Sequence, residues 1–247
     1  MVDLKSEIEF SPILEAVSED AVPVIIAAAG SSSRMQGISK MFEPILGVPV
    51  IVHTLRAFEK SPLISNIILV TKSEDILRLQ LLVDEYGISK VTDIVEGGNN
   101  RQESVKNGLS VIDKSAQSVL IHDGARPLVS QRVIEGVVGA LKENKCVVCA
   151  VKAKDTIKEI GDDGFVIKTL NRERLISVQT PQGVRVCDYV EAISGADTAN
   201  FTDDASIMES IGVKTFVTEG DYKNIKITTR EDLKVAEEYI KEGGEAL

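Results

Sequence analysis

The stretch Val22-Pro23-Val24-Ile25-Ile26-Ala27-Ala28-Ala29-Gly30-Ser31-Ser32-Ser33-Arg34-Met35, followed by Lys40, decides how this chain folds and what it binds. An apolar run without charge reads as a fully buried strand, the kind found in parallel sheets. Three alanines and Gly30 close the run, and a serine-rich turn with two cations follows. Small residues let the backbone approach a flat or anionic ligand, and glycine adopts angles closed to other residues. Exposed backbone N–H groups beside Arg34 and Lys40 can cradle a polyphosphate. The pattern is that of a nucleotide site.

Two other glycine-loop readings fail on spacing. A P-loop needs Gly-x-x-x-x-Gly-Lys-Ser/Thr, which Gly30 to Gly37 does not supply. The dinucleotide fingerprint needs Gly-x-Gly-x-x-Gly, where this chain has Ser32 and Arg34-Met35.

Outward from this stretch, short apolar runs alternate with amphipathic ones. Strands are expected at 24–29, 67–71, 91–95, 118–121, 147–151, 177–180 and 214–217. Helical patterns lie between them: one capped by Ser73 and closed by Gly87, one after Ser130, and one after a capping box at Thr229. This alternation predicts an α/β fold, a mostly parallel sheet covered by helices on both faces. Ligands of such sheets collect at the carboxyl ends of the strands. From 151 to 178 the rhythm changes to two alternating runs around Gly161-Asp162-Asp163-Gly164, which reads as a β-hairpin. A two-stranded ribbon has little core of its own. A second copy of the protein is the expected support for it. Residues 1–21 form an acidic N-terminal extension, and 22–247 the main domain, with the β-arm at about 152–176.

Composition narrows the function classes. The 247 residues include 43% hydrophobic and 27% charged ones, an ordinary balance for a globular domain. No apolar run approaches a bilayer span, and the N-terminus lacks a signal-peptide h-region, so a cytoplasmic location is expected. The net charge of −10 argues against nucleic-acid or anionic-membrane partners. Cys146 and Cys149 have the spacing of a redox or zinc pair, but residues three apart on a strand face opposite ways. They read as buried thiols. His53 and His122 likewise read as packed residues.

Three further clusters fall at predicted strand ends: Glu96-Gly97-Gly98-Asn99-Asn100-Arg101-Gln102-Glu103-Ser104-Val105, His122-Asp123-Gly124-Ala125-Arg126-Pro127, and Phe201-Thr202-Asp203-Asp204-Ala205-Ser206 with Asn224-Ile225-Lys226-Ile227-Thr228. Together with the opening stretch, Lys-Asp-Thr-Ile-Lys at 154–158 and Gln-Thr-Pro-Gln at 179–182, these motifs occur in order and resemble the 2-C-methyl-D-erythritol 4-phosphate cytidylyltransferases. The resemblance runs from about residue 22 to the C-terminus. It implies a Rossmann-like nucleotidyltransferase fold with the β-arm used for dimerisation.

The reaction implied is attack of a sugar-alcohol phosphate on the α-phosphorus of CTP, expelling pyrophosphate, in non-mevalonate isoprenoid biosynthesis. By the same resemblance Arg34 and Lys40 stabilise the transition state, while Arg172 and Lys226 place the incoming phosphate. Ala28, Ala29, Gly30, Gly98, Asn99 and Ser104 fall at nucleotide positions. Asp123, Arg126, Thr156, Thr180 and Asp203 fall on the acceptor side. Thr156 and Arg172 lie on the arm, which in this family completes the neighbour's site. Mg²⁺ is implied, held mainly by the triphosphate, with Asp123 the possible protein ligand. Two departures are visible: Ser32 where many members have glycine, and Ser39-Lys40-Met41-Phe42 where Pro-Lys-Gln-Phe is common. Ribitol-5-phosphate cytidylyltransferase and a non-catalytic nucleotide-binding protein of the same fold are the alternatives. The second is disfavoured because both cations of the loop are present.

Overall fold

The computed structural model describes residues 18, 20–30, 39–195 and 201–243. The expected N-terminal extension therefore lies almost wholly outside the described residues, and so does Arg34. The described chain runs β1 (Val22–Ala27), β2 (Pro44–Ile45), β3 (Val48–Pro49), α1 (Val50–Glu59), β4 (Ile64–Thr71), α2 (Ile76–Glu85), β5 (Val91–Glu96) and α3 (Arg101–Leu109). It continues with β6 (Ser118–Asp123), α4 (Gln131–Leu141), β7 (Cys146–Lys152), β8 (Lys158–Ile160), β9 (Val166–Thr169), β10 (Ile176–Arg185), α5 (Val186–Gly195), α6 (Asp204–Ser210), β11 (Thr215–Glu219) and α7 (Arg230–Gly243).

Seven strands form the central sheet in the order β11-β7-β10-β6-β1-β4-β5. Strand β10 runs antiparallel to both of its neighbours, and the other six share one direction. The expected mostly parallel sheet is therefore present, with one reversed member. Period-two alternation explains how a continuous apolar run serves two faces at once. Val24 and Ile26 point to the layer of α1, α2, α4 and α7, whereas Ile25 points to that of α3, α5 and α6. Cys149 lies in the first layer and Cys146 in the second, and both are buried free thiols. Burial pushes them up to about 12 and about 11, so they stay protonated and inert.

Local details depart from the sequence reading. Strand β1 ends at Ala27, although the Gly124 N–H still donates to the Ala27 carbonyl at 2.9 Å and the Ala28 N–H to that of Val70 at 2.7 Å. Ser73 opens a short 3₁₀ turn instead of capping α2, which starts at Ile76 with no side-chain cap. The strand expected at 177–180 runs on to Arg185. Pro181 lies inside it, where the β7 pairing shifts register between Val178 and Gln182. The β2–β3 hairpin was not expected at all; it turns on Leu46 and Gly47, at φ 50° and 82°. Residues 224–228 form a loop.

The ribbon expected at 152–176 has the anticipated hairpin at its tip. Strands β8 and β9 pair antiparallel as a separate two-stranded sheet, closed by Gly164 at φ 80°. Its apolar side chains are left uncovered: Ile160 is 65% and Phe165 75% exposed. Among the described residues no helix is long and apolar enough to cross a membrane.

Candidate active site

The carboxyl ends of β1, β5 and β6 converge on one side of the sheet, as parallel topology dictates. Because β10 is reversed, its early residues Gln179 and Thr180 reach the same end. Two adjoining cavities open there. The first, about 320 Å³, is lined by Ala29, Gly30, Lys40, Gly98, Asn99, Ser104 and neighbours. The second, about 290 Å³, is lined by Arg126, Gln179, Thr180, Gln182, Thr202 and Asp203 among others. Arg101, Asp123 and Lys226 line both. A larger cavity of about 580 Å³ lies at the opposite ends of the strands and contains none of the sequence-selected residues.

The turn after β5 is fixed by its own hydrogen bonds. Asn100 caps α3 by accepting from the Glu103 N–H at 2.8 Å. Glu103 accepts in turn from the Asn99 N–H and side-chain amide, at 2.8 and 3.0 Å. The Gly98 N–H donates to Ser104 Oγ at 3.1 Å. A Cβ on Gly98 would lie 2.2 Å from that of Glu103, and one on Gly97 2.6 Å from that of Ala29. Only glycine fits at either place.

Asp123 ends β6 and is the electrostatic centre. Lys226 Nζ lies 2.8 Å from its carboxylate, Arg101 Nε 3.5 Å and Arg126 Nε 3.7 Å. Burial opposes ionisation, but Arg101, Lys226 and Arg126 outweigh it and hold the carboxyl well below the usual range. Lys226 reaches this position because its loop is docked on the β6 turn. The Ile227 N–H bonds the Ala125 carbonyl at 2.7 Å, Arg126 Nη1 donates to the Asn224 carbonyl at 2.7 Å, and Asn224 donates to the Thr180 carbonyl at 2.9 Å.

His122 takes no part in acid–base chemistry. Its Nε2 faces the Arg126 carbonyl at 3.1 Å, an acceptor, so that nitrogen carries the proton. Nδ1 then accepts from the Thr180 hydroxyl at 3.1 Å, whose oxygen accepts from the Asp123 N–H. Burial pushes His122 down to about 3, and it remains neutral. No group of three His, Cys, Asp or Glu side chains among the described residues is placed to hold a metal. Asp123 itself is already engaged by cations.

Lys40, Ala29, Gly30, Gly98, Asn99, Ser104, Asp123 and Lys226 are thus brought together, with Arg126, Thr180 and Asp203 in the adjoining cavity. Other sequence-selected residues are placed elsewhere. Ala28 is packed in the core and lines neither cavity. Thr156 and Arg172 lie exposed on the arm, away from both cavities of their own chain; Arg172 Nη1 donates to the Lys154 carbonyl at 3.2 Å. Asp203 doubles as the N-cap of α6, bonded to the Ser206 N–H and to Gln182 Nε2.

The 2-C-methyl-D-erythritol 4-phosphate cytidylyltransferase (IspD) family model matches residues 22–242. The chain belongs to the IspD family. A Bacillus cytotoxicus protein bearing the family's full name is 44% identical over 220 residues, 88% of this chain and 96% of its own. Its Dehalococcoides mccartyi counterpart is 44% identical over 224 residues, 91% of this chain and 98% of its own. The solved Anaerococcus prevotii 4-diphosphocytidyl-2C-methyl-D-erythritol synthase superposes with a TM-score of 0.78 at 33% identity, covering 90% of this chain and 98% of that one.

In this IspD-family chain, sequence reasoning missed the roles of Arg101, Asp204, Tyr189 and Gln182. Arg101 gave a signal: a cation on the first residue of a helix faces a positively polarised end and needs a counter-charge. Asp204 supplies it at 2.7 Å. Gln182 gave none, since its partners lie more than twenty residues away.

Proposed function

We propose that this protein transfers the cytidylyl group of CTP to 2-C-methyl-D-erythritol 4-phosphate, releasing pyrophosphate and forming 4-diphosphocytidyl-2-C-methyl-D-erythritol in isoprenoid precursor biosynthesis. The observation that carries the reading is the shared wall. Lys226, Asp123 and Arg101 line both a cavity bounded by the Gly98–Ser104 turn and Lys40, and a second polar cavity beside it. Two substrates held on either side of that wall meet at it.

The chemistry asks little more of the protein. A phosphate nucleophile is already anionic near neutral pH, so in-line placement and neutralisation of oxygen charge suffice. That His122 is locked neutral, with both ring nitrogens engaged, agrees with a mechanism that needs no general base. Lys40 and Arg34 would stabilise charge on the transferred phosphoryl group. Lys226 and Arg126 would receive the acceptor phosphate, with Thr180 and Asp203 on the acceptor side. Gly30, Ala29, Gly98, Asn99 and Ser104 would hold the nucleotide. CTP would arrive as its Mg²⁺ complex, the ion held mainly by the triphosphate oxygens.

The arm would pair two copies, its uncovered Ile160 and Phe165 being the support for this, and would carry Thr156 and Arg172 to the partner's site. A water-soluble reaction of this kind fits the cytoplasm. Pyrophosphate release with CTP and Mg²⁺ tests the reading, with methylerythritol phosphate and ribitol 5-phosphate compared as acceptors. Turnover with neither removes the proposed activity; preference for ribitol phosphate replaces it with the related pentitol enzyme.

A further inference from the structure

Arg101 is held from behind by a pair of buried residues that line neither cavity. Tyr189 of α5 and Asp204 of α6 are both fully buried. The Tyr189 hydroxyl donates to Asp204 Oδ1 at 2.6 Å, and Asp204 Oδ2 lies 2.7 Å from Arg101 Nη2. Burial raises the Tyr189 phenol well above its ordinary range, so it keeps its proton and acts as donor. The backbone under the carboxylate is fixed too, since the N–H groups of Asp204 and Ala205 both donate to Gln182 Oε1. On its other side Arg101 Nε stands 3.5 Å from Asp123, beyond the roughly 2.7–2.9 Å of a closed charge-assisted contact. Lys226 does make that closed contact with Asp123, at 2.8 Å.

We propose that Tyr189 and Asp204 are positioning residues that act through Arg101, drawing its guanidinium back from Asp123 so that Lys226 stays seated on the wall between the two cavities. The inference rests on the function proposed above. Without the rear anchor, Asp123 is the carboxylate still paired with Arg101 among the described residues. A guanidinium that closes on it competes with Lys226 for the same oxygens. Lys226 then loses the contact that aims it at the acceptor phosphate. The nucleotide turn is insulated from this change, because its geometry depends on Asn100, Glu103 and Ser104, not on the Arg101 side chain. Arg101 and Lys226 also line the nucleotide cavity, but its turn keeps its own bonds, so the defect falls far more on the acceptor than on CTP.

Steady-state kinetics against each substrate tests this, with Tyr189→Phe, Asp204→Asn, Arg101→Gln and the double variant Tyr189→Phe/Arg101→Gln. Tyr189→Phe is expected to raise KM for methylerythritol phosphate about two- to tenfold, the worth of one hydrogen bond. Asp204→Asn moves KM further the same way, and KM for CTP stays within about twofold, as expected for an uncoupled site. The double variant matches Arg101→Gln alone. A merely structural pair would lower kcat through lost folded protein and leave KM unmoved, which overturns the proposal. So do equal KM increases for both substrates, or multiplicative effects in the double variant. Tyr189→Phe is nearly isosteric and decides the matter if Asp204→Asn does not fold. A wild-type enzyme without pyrophosphate release would overturn the parent reading as well; an active one lacking the KM split overturns this inference alone.

Discussion

Replacing Gly98 by alanine should damage CTP use far more than it damages folding. The new Cβ would lie 2.2 Å from the Glu103 Cβ, 2.8 Å from Glu103 Oε2 and 3.1 Å from its carbonyl carbon. Carbon atoms settle about 3.5–4.0 Å apart, so the turn or the start of α3 must move by roughly 1.3–1.8 Å. Rotating the Glu103 side chain can move Oε2 but not the 2.2 Å Cβ contact, because no χ rotation displaces a Cβ. The shift pulls the Gly98 N–H off Ser104 and the Asn99 N–H off Glu103. Overpacking of this kind costs about 1–3 kcal/mol, which a domain of this size survives. A displacement near 1 Å in a positioning element lowers kcat/KM by about 100-fold. Gly139→Ala is the control. It lies on the exposed side of α4 with nothing within 4 Å of the added methyl, so it should stabilise by about 0.5–1 kcal/mol with unchanged activity. Pyrophosphate release under varied CTP, with urea unfolding alongside, reads both effects. A Gly98→Ala enzyme with wild-type kcat/KM for CTP would refute the close-approach argument, as would equal losses in both variants.

Lys40→Ala should lower kcat at least about 100-fold while CTP binding by calorimetry changes little, the pattern of a contact made in the transition state. Stability should fall on the acid side: His122 titrates at about 3 when folded and near 6.5 when unfolded, so the unfolded state binds the extra proton between those values. Its contribution is complete above pH 6.5 and is lost at up to about 1.4 kcal/mol per pH unit below it, a slope that urea titrations of His122→Gln at pH 7, 6 and 5 should find flattened. Phe165→Glu should dissociate an arm-mediated dimer. Two phenylalanine side chains at about 1.5–3 kcal/mol each correspond to two to four orders of magnitude in Kd, measurable by sedimentation equilibrium. A wild-type chain that is monomeric at micromolar concentration would refute the arm's proposed role.

The parallel strands were legible because burial on both faces writes them as uninterrupted apolar runs, as in Val24 to Ala27. The hairpin tip was legible from its Asp-Gly turn. What could not be read locally was whatever depends on distant partners. Pro181 concealed the second half of β10, because whether a proline is tolerated there depends on its pairing with β7. Lys40, Asp123 and Lys226 were recoverable from motif context, although their meeting at one wall was a matter of topology. Arg101, a cation on the first residue of α3, carries a local signal but no local partner. Its counter-ion Asp204 sits 103 residues further along the chain, and no local pattern connects them.

Strand β10 runs against its six companions, and the arm is the excursion the chain makes before entering it. The root of the hairpin at Ile176 and the buried hydroxyl of Thr180 are consecutive stops on one backbone. Only the stem of the arm, from Ile176 to Val178, pairs with β7 and leads on to the floor of the acceptor cavity; the β8–β9 tip is a sheet of its own. If the arm pairs two copies as proposed, that single reversed segment would link the contact with a neighbour to the acceptor cavity.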